Sequence, residues 1–175
     1  MYELVTDRIW KKRNLMIDEA LLRIERTKKE KLHYLDLRGL HLDEIPKEIL
    51  EIPWIQALSL SNNNISDISL LSQMTQIHKL ALTNNRIEDI SVLEKLPKLR
   101  FIFLADNLIK DISKINNQAR LKKLVLHGNQ ISSLPDLSQF SLLAYLDLGE
   151  NPLECPSTDE MQKILPALKI YMYWY

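Results

Sequence analysis

One pattern of leucine, isoleucine and asparagine returns five times in this chain, each copy 22 residues after the last. It reads Ile55, Leu58, Leu60, Asn63, Ile65, then Ile77, Leu80, Leu82, Asn85, Ile87. Next come Leu99, Ile102, Leu104, Asn107, Ile109, then Leu121, Leu124, Leu126, Asn129, Ile131, and finally Leu143, Leu146, Leu148, Asn151, Leu153. A weaker copy lies 23 residues upstream of the first: Leu32, Leu35, Leu37 and Leu42, with Leu40 in place of the asparagine. A fixed period of this length specifies a solenoid, because each unit is too small to bury an apolar face except against its neighbours.

Within each unit the paired leucines, such as Leu58 and Leu60, alternate with the period of two that marks a short strand. Stacked units place these strands side by side in one curved parallel sheet. The asparagine follows at the corner, where its amide offers both a donor and an acceptor to backbone that the turn leaves unpaired. Asn63, Asn85, Asn107, Asn129 and Asn151 are therefore read as an internal structural ladder. Beyond it, apolar residues come every third position: Ile65, Ile68, Leu71, Met74, then Ile87, Ile90, Leu93, Leu96. That spacing suits a 3₁₀-like or irregular convex side, since a full α-helix would turn its apolar residues off the core. One unit departs from the rule, with Gln118 where its neighbours have Met74, Leu96 and Phe140. Either Ala119 fills that place or the segment 116–118 bulges.

These residues resemble the 22-residue subclass of leucine-rich repeat proteins, which includes internalin-like arrays and cytosolic scaffolds. The tetrads Ser66-Asp67-Ile68-Ser69, Glu88-Asp89-Ile90-Ser91 and Lys110-Asp111-Ile112-Ser113 carry the likeness, which covers residues 32–155. Ala20–Pro46 is in addition similar to the opening of repeat arrays in bacterial Roco-type proteins. The GTPase of those proteins is not expected here, because no Gly-x-x-x-x-Gly-Lys-Ser/Thr loop occurs and the chain has only three glycines. The resemblance implies an α/β right-handed superhelix and recognition of another protein, without naming the partner.

One domain over residues 1–175 is expected: a helical cap over 1–31, six repeats over 32–154 and a C-terminal cap over 155–175. In the first cap, Ile17, Ala20, Leu21 and Ile24 keep helical spacing, with Glu19/Arg23 and Glu25/Lys29 four apart on the outer face. Residues 3–13 are expected to add a helical turn or two, carrying Leu4, Val5, Ile9 and Trp10. In the second cap, Ser157 or Thr158 can start a short helix over 159–165. Residues 166–171 then resemble the closing strand of cytosolic arrays. The aromatic tail Tyr171–Tyr175 reads as part of this cap, or as an edge strand that pairs with another chain.

The chain has 23 basic and 23 acidic residues, so no net field draws in nucleic acid or an anionic membrane. Its single cysteine, Cys155, allows no internal disulfide, whereas secreted members of the resembled family are often stapled at their ends. The cytoplasm is the expected compartment, with no cleavable signal, no spanning segment and no membrane partner. A secreted bacterial effector lacking a cleavable signal is the alternative.

Residues flanking the strand leucines project from the concave face. Among them Phe101 and Phe103 share one strand, with Val125 and Tyr145 on the next two, and both phenylalanines are expected to be exposed. Clustered exposed aromatics are what binding hot spots are made of. Lys79, Arg100, Lys122 and Lys123 surround the cluster and point to an acidic rim on the partner, or else form a solvated face. Tyr34 joins the candidate set from the first strand. Enzymatic activity is not expected: His33, His78 and His127 occupy different repeat positions and cannot close on one metal, and no cofactor motif occurs. The leading function is thus a protein-binding module using its concave face, as a monomer. The alternatives are a chain that self-associates as a dimer through its C-terminal edge, and a small immunity or adaptor protein that inhibits an enzyme.

Overall fold

The computed structural model describes residues 2–115, 118–154 and 156–173, with side chains in the first helix described from residue 16 onward. The Leu-x-Leu segments form strands of three residues each: β1 Tyr34–Asp36, β2 Ala57–Ser59, β3 Lys79–Ala81, β4 Phe101–Phe103, β5 Lys123–Val125 and β6 Tyr145–Asp147. A seventh, β7 Ile170–Met172, completes a single parallel sheet in strict chain order. The register is unbroken, with Leu35, Leu58, Leu80, Ile102, Leu124 and Leu146 in one inward-facing row. Every one of them is buried.

The return limbs are short 3₁₀ turns at Lys47–Glu51, Ser69–Gln73, Ser91–Lys95 and Ser113–Ile115, as the spacing of three predicts. The limb between β5 and β6 has no such turn. There Pro135 is followed by Asp136, whose carboxylate accepts from Ser138 N–H at 2.8 Å, and Leu137 and Phe140 still reach the core.

The asparagine ladder is observed in full. Asn85 donates from Nδ2 to the Leu60 and Leu82 carbonyls, both at 3.0 Å, and accepts Ile65 N–H at 3.0 Å. Asn107, Asn129 and Asn151 repeat this between the next units. Each side chain thus closes its own corner and ties it to the preceding one. Leu40, standing where the first asparagine is missing, is buried, and its orphaned N–H donates to Asn63 Oδ1, which also accepts Leu42 N–H.

The residue before each ladder position bends the chain through the left-handed region: Gly39, Asn62, Asn84, Asp106, Gly128 and Glu150 have φ between 52° and 69°. Gly128 meets the left-handed φ without strain, and a Cβ there would push the Asp106 carboxylate aside. Glu150 accepts the cost that L side chains meet in this region.

One continuous helix, α1 Tyr2–Lys29, forms the first cap, where the sequence suggested a helix with a turn or two before it. Ala20, Ile24 and Thr27 are buried against β1 and the first 3₁₀ turn. Arg23 donates to the Asp36 carbonyl at 3.0 Å, covering the outer edge of β1. Glu19 pairs with Arg23 as expected, whereas Glu25 lies 3.8 Å from Lys28 rather than pairing with Lys29. The side chains of Leu4, Val5, Ile9 and Trp10 lie outside the described residues.

The second cap is α2 Thr158–Ile164. Ser157 is its N-cap, and a reciprocal bond from Ser157 N–H to Glu160 at 2.9 Å makes a capping box. Met161, Leu165 and Leu168 seal the core below β6. Cys155, Trp174 and Tyr175 lie outside the described residues.

Gln118 corrects the sequence reading. Its own side chain fills the core position, fully buried, while Ala119 is exposed. Its Nε2 donates to the Leu93 carbonyl, but its Oε1 is buried without a hydrogen-bond partner among the described residues. The rest of the suspected bulge, residues 116–117, lies outside the described residues.

Two stability outcomes follow. Asn85→Ala or Asn107→Ala leaves buried backbone groups unpaired and should cost about 1–3 kcal/mol in a denaturant melt. Gln118→Leu should instead raise stability by about 1 kcal/mol. It removes a desolvated carbonyl oxygen, and the Leu93 carbonyl keeps its bond from Leu96 N–H at 3.0 Å.

Candidate functional site

The sheet's pleat sends two residues of each strand outward, so parallel register turns them into rows across the concave face. One row runs Tyr34, Ala57, Lys79, Phe101, Lys123, Tyr145, and the next runs Asp36, Ser59, Ala81, Phe103, Val125, Asp147. Lys79, Phe101, Phe103, Lys123, Val125 and Tyr145 are thereby brought together on four adjacent strands. Tyr34 is separate, on β1, and 60% exposed.

The two phenylalanines are half-buried rather than open. The reason is visible for Phe103: Lys79 and Lys123 extend over its ring, with ammonium groups 5.6 and 5.5 Å from its centre. Lys123 also lies 3.6 Å from the centre of the Tyr145 ring. Cations over aromatic faces are held by the ring quadrupole, so two apolar rings and two charges form one strip. The Tyr145 hydroxyl donates to Met172 Sδ at 3.1 Å. Burial, with the Asp147 carboxylate adding to it, holds that phenol above its ordinary pKa.

Toward the N-terminus the face sinks into a trough of about 500 Å³. Its floor is made of small side chains, Ala57, Ser59, Ser61, Ala81 and Thr83, and its ends are Tyr34 and Phe103. Asp36 and Arg38 pair at 2.7 Å along its wall, and the guanidinium holds the Asp36 carboxyl below its ordinary pKa. Toward the C-terminus, His127 stands 3.8 Å from the buried Asp147 and 3.5 Å from Glu150. Among the described residues no group of three histidines, cysteines or carboxylates is arranged to hold a metal.

Charge is divided between the two edges of the sheet. Residues leading into β2 to β6 (53–57, 75–79, 97–101, 119–123, 141–145) contain no aspartate or glutamate. They do contain Lys79, Lys98, Arg100, Arg120, Lys122 and Lys123. Sequence reading picked out four of these and missed Lys98 and Arg120, which the 22-residue step places in one column beside Gln76. His78 feels the cluster: burial, then the charges of Lys98, Arg100 and Arg120, hold its pKa below the ordinary value. Past the strands the acids dominate, but they serve the fold. Asp67, Asp111 and Asp136 accept the backbone N–H of Ser69, Ser113 and Ser138 at 2.7–2.8 Å, which keeps their carboxyls below the ordinary pKa.

A family model described as two copies of a leucine-rich repeat matches residues 53–95 and again 75–117. Residues 53–117 are leucine-rich repeats, and the chain has the fold of a leucine-rich repeat solenoid. Solved structures agree in fold. An internalin (inlF) of Listeria monocytogenes is 23% identical over 82% of this chain and 48% of its own, with a TM-score of 0.63. An internalin C2 of the same organism is 23% identical over 80% and 59%, with a TM-score of 0.69. A leucine-rich repeat protein of Leptospira interrogans is 28% identical over 74% and 34%, with a TM-score of 0.67. The chain thus spans about half or less of the length of most of these repeat proteins. No curated protein matches it by sequence. The likeness of Ala20–Pro46 to Roco-type arrays is not shown by these matches. No helix among the described residues is long and apolar enough to cross a membrane.

The structural carboxylates set an acid dependence. Their folded pKa values are depressed, so their contribution is complete above the ordinary carboxylate pKa of about 4 and is lost as pH falls through the folded values. Urea melts from about pH 6 to 3 should show stability falling below about pH 4. A triple variant Asp67→Ala/Asp111→Ala/Asp136→Ala should be less stable at the upper end and have a flatter profile. Parallel profiles would contradict this assignment.

Proposed function

We propose that this repeat array is a protein-binding module whose partner docks on the concave face, with Phe101, Phe103, Val125 and Tyr145 as its apolar contacts. Lys79, Arg100 and Lys123 supply charge beside them, and Tyr34 contacts the partner from the far end of the trough. The observation that carries this reading is the strip in which Lys79 and Lys123 lie over the rings of Phe103 and Tyr145. Half-buried aromatics held in fixed positions lose little conformational entropy on binding, which is what anchors require. A structural neighbour solved with a ligand, a plant peptide hormone receptor (RGFR1) in complex with RGF2, is 26% identical over 75% of this chain and 22% of its own, with a TM-score of 0.63. It supports the reading as an array of similar fold that binds another molecule.

A second reading has one feature in its favour. Among the described residues β7 is the last strand of the sheet and pairs with β6, and a terminal strand is the place where a second copy could extend the sheet. Removing Trp174 and Tyr175 would then dissolve a dimer seen by light scattering, and would leave a monomer unchanged.

The partner for the main test is whatever the immobilised wild-type chain captures from its source cell. Phe101→Ala or Phe103→Ala should weaken its binding by about 2 kcal/mol or more in a titration. The unfolding free energy should move by less than about 1 kcal/mol. Undiminished binding to both variants would remove the concave face from consideration.

A further inference from the structure

We propose that the ligand of this concave face is an acidic, extended protein segment, whose carboxylates pair with the cations of the leading edge. The inference rests on the concave-face reading above and names the chemistry of the partner.

The case begins with six cations that have no carboxylate partner among the described residues. Lys79, Lys98, Arg100, Arg120, Lys122 and Lys123 make no ion pair among the described residues, although surface pairs occur elsewhere on the chain. Lys98 bonds only the neutral Gln76 side chain. Four of the acids past the strands, Asp67, Asp89, Asp111 and Asp136, are by contrast bound to their own turns. Backbone bonds set the cations in contiguous order: Arg100 N–H donates to the His78 carbonyl, and Lys122 N–H to the Arg100 carbonyl, both at 2.8 Å. Like charges on adjacent strands repel and destabilise the isolated chain. That cost is relieved when carboxylates come between them.

Spacing and ring coverage favour an extended peptide over other anions. Adjacent strands lie about 4.8 Å apart, so Lys79 and Lys123, two strands apart in one row, are about 9–10 Å apart. An extended chain in the polyproline II conformation rises about 3.1 Å per residue with about three residues per turn, so carboxylates three residues apart lie on one side, about 9 Å from each other, and meet both lysines. Nucleic acid would gain its sequence-tolerant affinity by stacking bases on free aromatic faces. Here lysine ammonium groups already lie over Phe103 and Tyr145, and a base would have to displace them. A planar membrane cannot reach the floor of a concave sheet. The neighbouring trough of about 500 Å³ has room for one or two apolar or small side chains of such a segment.

The test is a selection of random peptides displayed on phage against the immobilised chain, followed by titration of the selected peptides. Peptides enriched in aspartate and glutamate are expected. Their affinity should fall at least tenfold in Arg100→Glu/Lys122→Glu, and several-fold as salt rises from about 50 to 300 mM. Selected peptides that are neutral or basic, or selection of none, would overturn the proposal, as would equal affinity for the charge-reversed variant. A labelled single-stranded DNA 20-mer and phosphatidylserine vesicles serve as competing anions. Binding of either as tightly as the best peptide, with the same loss in the variant, would also overturn it. Where the acidic-segment proposal fails but the cellular partner still binds and is lost on Phe103→Ala, the concave-face reading stands alone. Where the partner's binding is unchanged by Phe103→Ala as well, both fall.

Discussion

Everything in this fold hangs on a primary amide placed once per turn of the solenoid. A strand of three residues cannot pair the backbone of the tight corner that follows it, and the left-handed residue before each asparagine turns carbonyl groups inward. The asparagine side chain is small enough to enter the corner and carries the two donors and the acceptor needed there. Its bonds run both to its own unit and to the preceding one, so an asparagine in one unit is only useful if a neighbour exists. The ladder thereby makes stacking obligatory, and the leucine rows supply the apolar burial once stacking occurs.

This also explains why so much was legible in the sequence. Periodic constraints write themselves into every repeat, so the strands, their register and the ladder could be read from Ile55 to Leu153 with no coordinates. So could the 3₁₀ limbs up to Ile115, whereas the limb over 131–140 keeps the spacing of three without the turn. What escaped was not periodic. Gln118 sits in the core because its amide found the Leu93 carbonyl one unit away, a contact no pattern announces. The join of residues 2–13 to the cap helix was missed because their apolar residues, Leu4, Val5, Ile9 and Trp10, do not keep the i, i+3, i+4, i+7 spacing of Ile17, Ala20, Leu21 and Ile24. Among candidate binding residues, outward orientation was readable from the period of two. The degree of exposure was not, because it depends on where Lys79 and Lys123 fold their long side chains.

The same repetition creates the charge polarity. The period of 22 fixes which edge of the sheet a residue occupies, so a preference for lysine or arginine before the strand accumulates on one side. Aspartate after the strand accumulates on the other. The net charge of zero conceals this, since equal totals say nothing about separation. The two edges nevertheless differ in kind. On the trailing edge, charge is a by-product of turn chemistry, because a carboxylate two residues before a serine closes the turn by accepting its N–H. On the leading edge no turn needs a cation, and the backbone there is already bonded to the adjacent unit through the His78, Arg100 and Lys122 carbonyls.

That asymmetry separates the parts of the surface that the fold explains from those it leaves over. Replacing the asparagines or turn aspartates would disturb the solenoid itself, so their presence carries no information about a ligand. Phe101, Phe103, Tyr145 and the leading-edge cations could each be changed to small polar residues with their backbone bonds intact. Two of the lysines already cover aromatic rings, and covering costs each flexible side chain rotamer freedom. A ligand that binds this strip meets side chains that have already lost that freedom, which is the condition under which a small set of contacts yields useful affinity.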